Sequence, residues 1–216
     1  MNIAKGSLNW IISAFLIGVI LSFISLILEI KLLKILFLLL SICFLLLGIF
    51  FIIFFRDPER KISKDIVASA DGKIREVSNL EDEEIGKSIM ISTFMNINNV
   101  HVNRIPIEGT IIKIIHIPGK HMPAFKKESD KNERVEIIVK TKIGKIKIIQ
   151  IAGIFARRIV PYIKKGDKLK KGQRIGIIRL GSRVDLYLPR NKIKNIIVKK
   201  GDFVKAGETN IAKIND

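Results

Sequence analysis

The chain opens with two unbroken apolar runs and then changes texture. Leu8 to Leu28 carries no charged side chain, and after Glu29, Lys31 and Lys34 a second run extends from Ile35 to Phe55. A helix needs about 20 apolar residues to cross a bilayer core, and each run is long enough. The linker is only a few residues, which predicts a helical hairpin with transmembrane helices over about 8–28 and 35–55. A cleaved leader is disfavoured: the first run is too long, no small-residue cleavage site follows, and a second run comes next. Asp57-Pro58 ends the second helix, because the residue before a proline is pushed out of the helical region. Residues 1–56 are read as a membrane anchor.

From about Ile66 the pattern shortens. β-branched runs at Lys73–Val77, Ser88–Phe94, Gly109–Ile117, Val135–Lys140 and Lys145–Ile151 alternate with Gly, Asn, Asp and Pro. Short strands at close spacing predict a mostly β (α+β) domain over 57–216. One helix is expected near Phe155–Ile163, limited by Val160-Pro161. Toward the C-terminus the pattern repeats. Lys164-Lys165-Gly166-Asp167-Lys168-Leu169-Lys170-Lys171-Gly172-Gln173 is matched by Lys199-Lys200-Gly201-Asp202-Phe203-Val204-Lys205-Ala206-Gly207-Glu208. In each copy a Gly-Asp turn precedes a short strand and a second Gly turns the chain again. The pattern resembles the paired hairpins of barrel-sandwich hybrid folds, as in biotinyl and lipoyl carrier domains. Ala70–Ile74 and Ile107–Ile111 fit as further strands of such a barrel. The modified-lysine motif of carrier domains is absent. Between the two copies lies Ile175–Pro189, two strand-like pieces meeting at Gly181-Ser182. Alone, that pair is a turn; the alternative is that Ser182 is a nucleophile set against its own preceding carbonyl.

Composition narrows the classes. The net charge of +18 in 216 residues calls for an anionic partner, nucleic acid or an anionic membrane surface. One Trp and two Tyr give little for base stacking, and a nucleic-acid module would leave the two spans unexplained. Lys5, Lys31 and Lys34, then Arg56, Arg60, Lys61 and Lys64, flank the spans. The positive-inside rule on the whole set puts the N-terminus and the large C-terminal part on the cytoplasmic side. The single cysteine, Cys43, excludes an intramolecular disulfide and a thiolate metal site. The three histidines, His101, His116 and His121, show no metal-ligand spacing, and no metal is expected. Phosphate-binding glycine loops and a Gly-x-Ser-x-Gly elbow are also missing. In Val100-His101-Val102-Asn103, alternation puts His101 and Asn103 on one strand face. His101 is either a hydrogen-bonded strand histidine or a working base. Asp71 is either a turn aspartate or a carboxylate that orients a histidine. His116 and His121 flank Pro118-Gly119 and fit a loop.

Six blocks in order carry a resemblance. They are Phe55-Arg56-Asp57-Pro58-Glu59-Arg60; Ala68-Ser69-Ala70-Asp71-Gly72-Lys73; Val100-His101-Val102-Asn103-Arg104-Ile105-Pro106; Asn132-Glu133-Arg134; Ile151-Ala152-Gly153 with Ala156-Arg157-Arg158-Ile159-Val160; and Ile175–Pro189 around Gly181-Ser182. Over about Phe54–Lys192 the chain resembles the short-form phosphatidylserine decarboxylase family. The resemblance implies a self-processing proenzyme, cut between Gly181 and Ser182 into a β chain (1–181) and an α chain (182–216). Ser182 would become a covalent pyruvoyl group, the pyruvate cofactor, that forms a Schiff base with phosphatidylserine. The family's Asp-His base system falls on Asp71 and His101. Longer relatives carry His-x-x-His where this chain has His101 and Arg104, so a division of labour between two histidines does not carry over. Arg104, Arg134 and Arg183 are candidates for gripping the head group. The implied partners are the lipid, an anionic membrane surface, and the chain's own α and β pieces as a heterodimer, open to further oligomerisation; no nucleic acid is expected. The competing reading is a membrane-anchored barrel-sandwich adaptor without catalysis, although such adaptors insert a long helical hairpin and no heptad pattern appears here.

Overall fold

The computed structural model describes residues 2–119, 131–153, 158–179 and 182–215. His121, Gly181 and Phe155–Arg157 of the expected helix lie outside them. The chain divides into two compact units, Met1–Glu59 and Arg60–Asp216.

The first unit is a helical hairpin. Helix α1 (Leu8–Ile27) and helix α2 (Lys31–Phe54) are joined by three residues. The second helix begins four residues earlier than the charge pattern suggested, taking Lys31 and Lys34 into its first turn. Small residues let the helices close on each other. A Cβ at Gly18 would stand 2.9 Å from the Leu45 side chain, and one at Gly48 2.8 Å from the Phe15 ring. Across the same seam the Ser41 hydroxyl donates to the Gly18 carbonyl at 2.7 Å. The other faces expose Leu, Ile and Phe along their length. Strands β1 (Asn2–Ile3) and β2 (Arg56–Asp57) pair and tie off the open end. Both helices are long and apolar enough to cross a membrane.

The second unit is mostly β. Short strand β3 (Ile66–Val67) leads into β4 (Gly72–Asp82), β5 (Gly86–Met95), β6 (Val102–Arg104), β7 (Gly109–Ile117), β8 (Arg134–Thr141) and β9 (Gly144–Ala152). Then come β10 (Ile159–Pro161), β11 (Lys168–Leu169), β12 (Arg174–Ile178), β13 (Ser182–Pro189), β14 (Ile193–Ile196), β15 (Phe203–Val204) and β16 (Asn210–Ile214). An eight-stranded antiparallel sheet runs β11-β7-β8-β9-β13-β5-β4-β15, accompanied by three-stranded sheets β10-β12-β6 and β14-β16-β3. One apolar core draws on all three sheets, with Ile91, Ile137, Ile148 and Val184 from the large one and Ile66, Ile175, Ile178 and Ile211 from the small ones. Each such buried side chain contributes about 1.5–3 kcal/mol relative to exposure.

The repeat seen in the sequence is built into this topology. In the first copy Ile111 N–H donates to the Asp167 carbonyl and Gly166 N–H to the Ile111 carbonyl; in the second Ile74 and Asp202, then Gly201 and Ile74, make the same pair of bonds. The Asp167 and Asp202 carboxylates each accept from the backbone N–H three residues earlier, at 2.9 Å. Gly172 N–H donates to Ile105, and Gly207 N–H to Ala68. All four glycines have positive φ, which L side chains adopt at a cost. The two hairpins cap opposite edges of the large sheet, β11 on β7 and β15 on β4. Strands β6–β12 thus form one set. The other set comes in two pieces, β3–β5 and β13–β16, on either side of it.

The expected helix near residues 155–163 is corrected: Ile159–Pro161 is strand β10. It sits at a sheet edge, where a proline without an N–H costs no ladder bond, and Val160 favours the strand.

Candidate active site

Ser182 is the first residue of β13, the strand held between β5 and β9. It lies opposite Met95 on one side and Ala152 on the other. Side chains alternate along a strand, so Ser182, Val184, Leu186 and Leu188 point into the core and Arg183, Asp185 and Tyr187 point away. Ser182 is fully buried, and its Oγ donates to Met95 Sδ at 3.2 Å. The same sulfur receives Asn103 Nδ2 at 3.6 Å, and Asn103 Oδ1 accepts from Gln150 Nε2 at 2.7 Å. Four buried polar or polarisable side chains from β13, β5, β6 and β9 therefore converge inside an aliphatic core.

His101 immediately precedes β6 and is fully buried. Its Nδ1 bonds the Asn99 carbonyl at 2.9 Å, and its own carbonyl accepts from Ile178 N–H at the end of β12. That is the end from which the chain runs on toward Ser182. Asp71 precedes Gly72 at the start of β4, where backbone passes closely: a Cβ on Gly72 would collide with the Phe94 carbonyl oxygen. Its carboxylate accepts from Arg60 at 2.8 Å and from the Ala206 backbone N–H at 2.8 Å. Burial pushes the Asp71 carboxyl up from the ordinary carboxylate range, while the Ala206 amide and the Arg60 guanidinium pull it back in part. The structure thus engages Asp71 with Arg60 and the second repeat, and His101 Nδ1 with the Asn99 carbonyl.

The three arginines fall in different places. Arg104 is buried and donates to the Gly172 carbonyl at 3.0 Å. Arg183 is buried on the sheet face away from the core and pairs with Asp185 at 3.0 Å. Arg134 shares that face, because it is in register with Ile151 and Ile151 with Arg183. It bonds Glu136 at 3.0 Å and lines a groove of about 470 Å³ with Arg75, Glu76, Met90 and Tyr187. Arg134 and Arg183 therefore share one sheet face, with Ile151 between them, opposite the Ser182 side chain. His116 bonds Glu133 at 2.8 Å near the end of β7, and its side chain is exposed. Among the described residues no group of three or more His, Cys, Asp or Glu could hold a metal.

Met95, Asn103 and Gln150 escape a reading of the sequence. Asn103 could have been suspected from its alternation with His101, but nothing local marks Met95 or Gln150.

Comparison with known proteins places this constellation. The family profile described as phosphatidylserine decarboxylase matches residues 47–212. A phosphatidylserine decarboxylase proenzyme of Streptomyces coelicolor is 47% identical over 159 residues, covering 73% of this chain and 70% of that one. A protein of Methanococcoides burtonii named as an archaetidylserine decarboxylase proenzyme is 41% identical over 214 residues, 98% of this chain and 96% of that one. The matched span contains Asp71, Met95, His101, Asn103, Gln150 and Ser182, and the chain belongs to the phosphatidylserine decarboxylase family of proenzymes.

Proposed function

We propose that this chain decarboxylates the serine head group of a membrane phospholipid, phosphatidylserine to phosphatidylethanolamine, with a pyruvoyl group it makes from its own Ser182. The Ser182 hydroxyl attacks the Gly181 carbonyl, exchanging the amide for an ester. Elimination across Ser182 then cuts the chain into 1–181 and 182–216, and water converts the resulting dehydroalanine to pyruvoyl with loss of ammonia. That ketone condenses with the substrate amine, and the imine takes up the electrons released as carbon dioxide leaves. The observation that carries this reading is the burial of Ser182 at the head of an interior strand, its hydroxyl turned to Met95 Sδ, which Asn103 also meets. To act as a nucleophile such a serine needs a base. We assign His101 to that role and to reprotonation of the carbanion, since Arg104 occupies the family's second histidine position and donates to Gly172. Asp71 is assigned as the acidic partner. A carboxylate has lone pairs enough to serve His101 as well as Arg60 and Ala206.

Arg134 and Arg183, which share the far sheet face, are our candidates for the lipid phosphate; Arg104 is the third. The two apolar helices serve as a two-span membrane anchor (1–56), and the basic domain (57–216) faces the anionic cytoplasmic surface. The hairpin pairs support a barrel-sandwich-hybrid-like domain. Relatives named for bacterial and for archaeal lipids match about equally well, which fits a site that handles the head group they share.

Intact mass of the purified chain tests the proposal. Two pieces, split between residues 181 and 182, are expected, the smaller one refractory to N-terminal sequencing. Ser182→Ala should remain a single chain and release no carbon dioxide from phosphatidylserine vesicles. A wild-type chain that is active while uncut would overturn the reading.

A further inference from the structure

Asn103 and Gln150 have a bonding pattern that core packing does not explain. Both are fully buried. Among the described residues Asn103 Nδ2 meets a methionine sulfur alone, at 3.6 Å, and Ser182 Oγ meets the same sulfur. A thioether is a weak acceptor. Two good donors in a dry core therefore share one poor partner, an arrangement that costs free energy unless a better acceptor arrives. Gln150 Oε1 is buried too, with no partner among the described residues. Room has been left for the Gln150 amide: a Cβ at Gly176 would stand 3.3 Å from its Nε2 and 2.8 Å from the Val160 carbonyl oxygen.

We infer that the Asn103 side-chain amide is the donor that receives the oxyanion formed when Ser182 attacks the preceding carbonyl, and that Gln150 is the positioning residue that aims it. The inference rests on the self-cleavage reading above. In the attack a bond forms from Ser182 Oγ to the Gly181 carbonyl carbon. The hydroxyl proton passes to the base, and the carbonyl π electrons move onto oxygen. Collapse breaks the Gly181–Ser182 C–N bond and returns the proton to the leaving amine, so one amide becomes one ester and one amine with no other reactant. The transient oxyanion is a far stronger acceptor than sulfur. Asn103 Nδ2 already touches the sulfur that holds the attacking hydroxyl, and the carbonyl concerned is joined directly to the Ser182 nitrogen. Gln150 sets the polarity. With Asn103 Oδ1 committed to Gln150 Nε2, the NH₂ end faces Met95 and Ser182. A neutral donor suits the place, because it stabilises the oxyanion without competing for the protons that His101 has to move.

The test follows cleavage of freshly translated full-length chain on denaturing gels, with and without hydroxylamine, which cuts esters but not amides. Asn103→Asp keeps the shape and replaces the donor by an acceptor. Cleavage should slow by about 10²–10³-fold, the usual loss for one oxyanion donor, and hydroxylamine should not restore it because the ester never forms. Gln150→Glu would turn the Asn103 amide around and should slow cleavage at the same stage. Cleavage of Asn103→Asp within about threefold of the parent rate overturns the inference. So does hydroxylamine releasing the fragments from it in full, since that puts the defect after the ester. Should Asn103→Asp fail to fold, Gln150→Glu decides: parent-rate cleavage by that folded variant overturns the inference. Ser182→Ala separates the two levels. If it is still cut, the self-cleavage reading itself falls; if it stays whole while Asn103→Asp is cut normally, only the role of Asn103 falls.

Discussion

Asp71 illustrates how one buried carboxylate links protonation to processing. Its pKa is raised by burial, so from the ordinary carboxylate range up to the raised value the folded chain keeps a proton that the unfolded chain has lost. Stability therefore falls as pH rises through that window. Above it the ionised group persists because Arg60 and the Ala206 amide hold it. If ionised Asp71 supports the base, cleavage should fail on the acid side at a higher pH than an exposed aspartate would dictate. Arg60→Gln removes a cation that lowers this pKa, so the acid limb of the cleavage rate against pH should move to still higher pH. An unmoved limb, or one displaced to lower pH, would remove Asp71 from the base system. At this scale the sequence was informative where chemistry sits in contiguous blocks: Asp71, His101 and Ser182 are each visible from their neighbours. Met95, Asn103 and Gln150 meet only because strands β5, β6 and β9 converge, and no local pattern encodes that meeting.

Elements were legible in proportion to how local their causes are. The two apolar runs, strands β4, β5, β7, β8 and β9 and the Gly-Asp turns follow from adjacent residues, and each was visible in advance. Strand β10 was not, because its proline is tolerated only through its place at a sheet edge. The repeat glycines also carry a nonlocal load. Gly207 has φ of 80°, and a Cβ there would stand 2.9 Å from Ile62 Cδ1, whereas Gly201, at φ of 101°, faces open space apart from Lys73 Cε at 4.0 Å. Both glycine-to-alanine changes add backbone strain of about 1–3 kcal/mol, but only Gly207→Ala also displaces Ile62. Thermal melts should rank Gly207→Ala below Gly201→Ala, at roughly 2–4 °C per kcal/mol for a chain of this size. Equal melts would mean that Ile62 yields freely and does not brace the two hairpins. The same segment is bound to both repeats. Ser63 N–H donates to Gly207, Arg60 pairs with Glu208, and Lys171 Nζ reaches the Lys64 carbonyl.

At the scale of the whole molecule, one β set interrupts the other, and the proposed cut falls where the interrupted set resumes. Eight residues of β13 pair with β5 and six with β9. Breaking the chain at Ser182 would create a new terminus without creating a new sheet edge. Residues 182–216 should then copurify with 1–181 through high salt and separate only when the sheet is unfolded. Co-expressed tagged and untagged versions, mixed after maturation, should never trade their small pieces; free exchange under native conditions would show that β13 is held loosely. The consequence reaches past assembly to the working life of the catalyst. A prosthetic group carried on an interior strand cannot be renewed from outside. In the proposed mature form, a pyruvoyl lost to a misdirected turnover retires the entire molecule, and the cell can replace that activity only by synthesising the chain again.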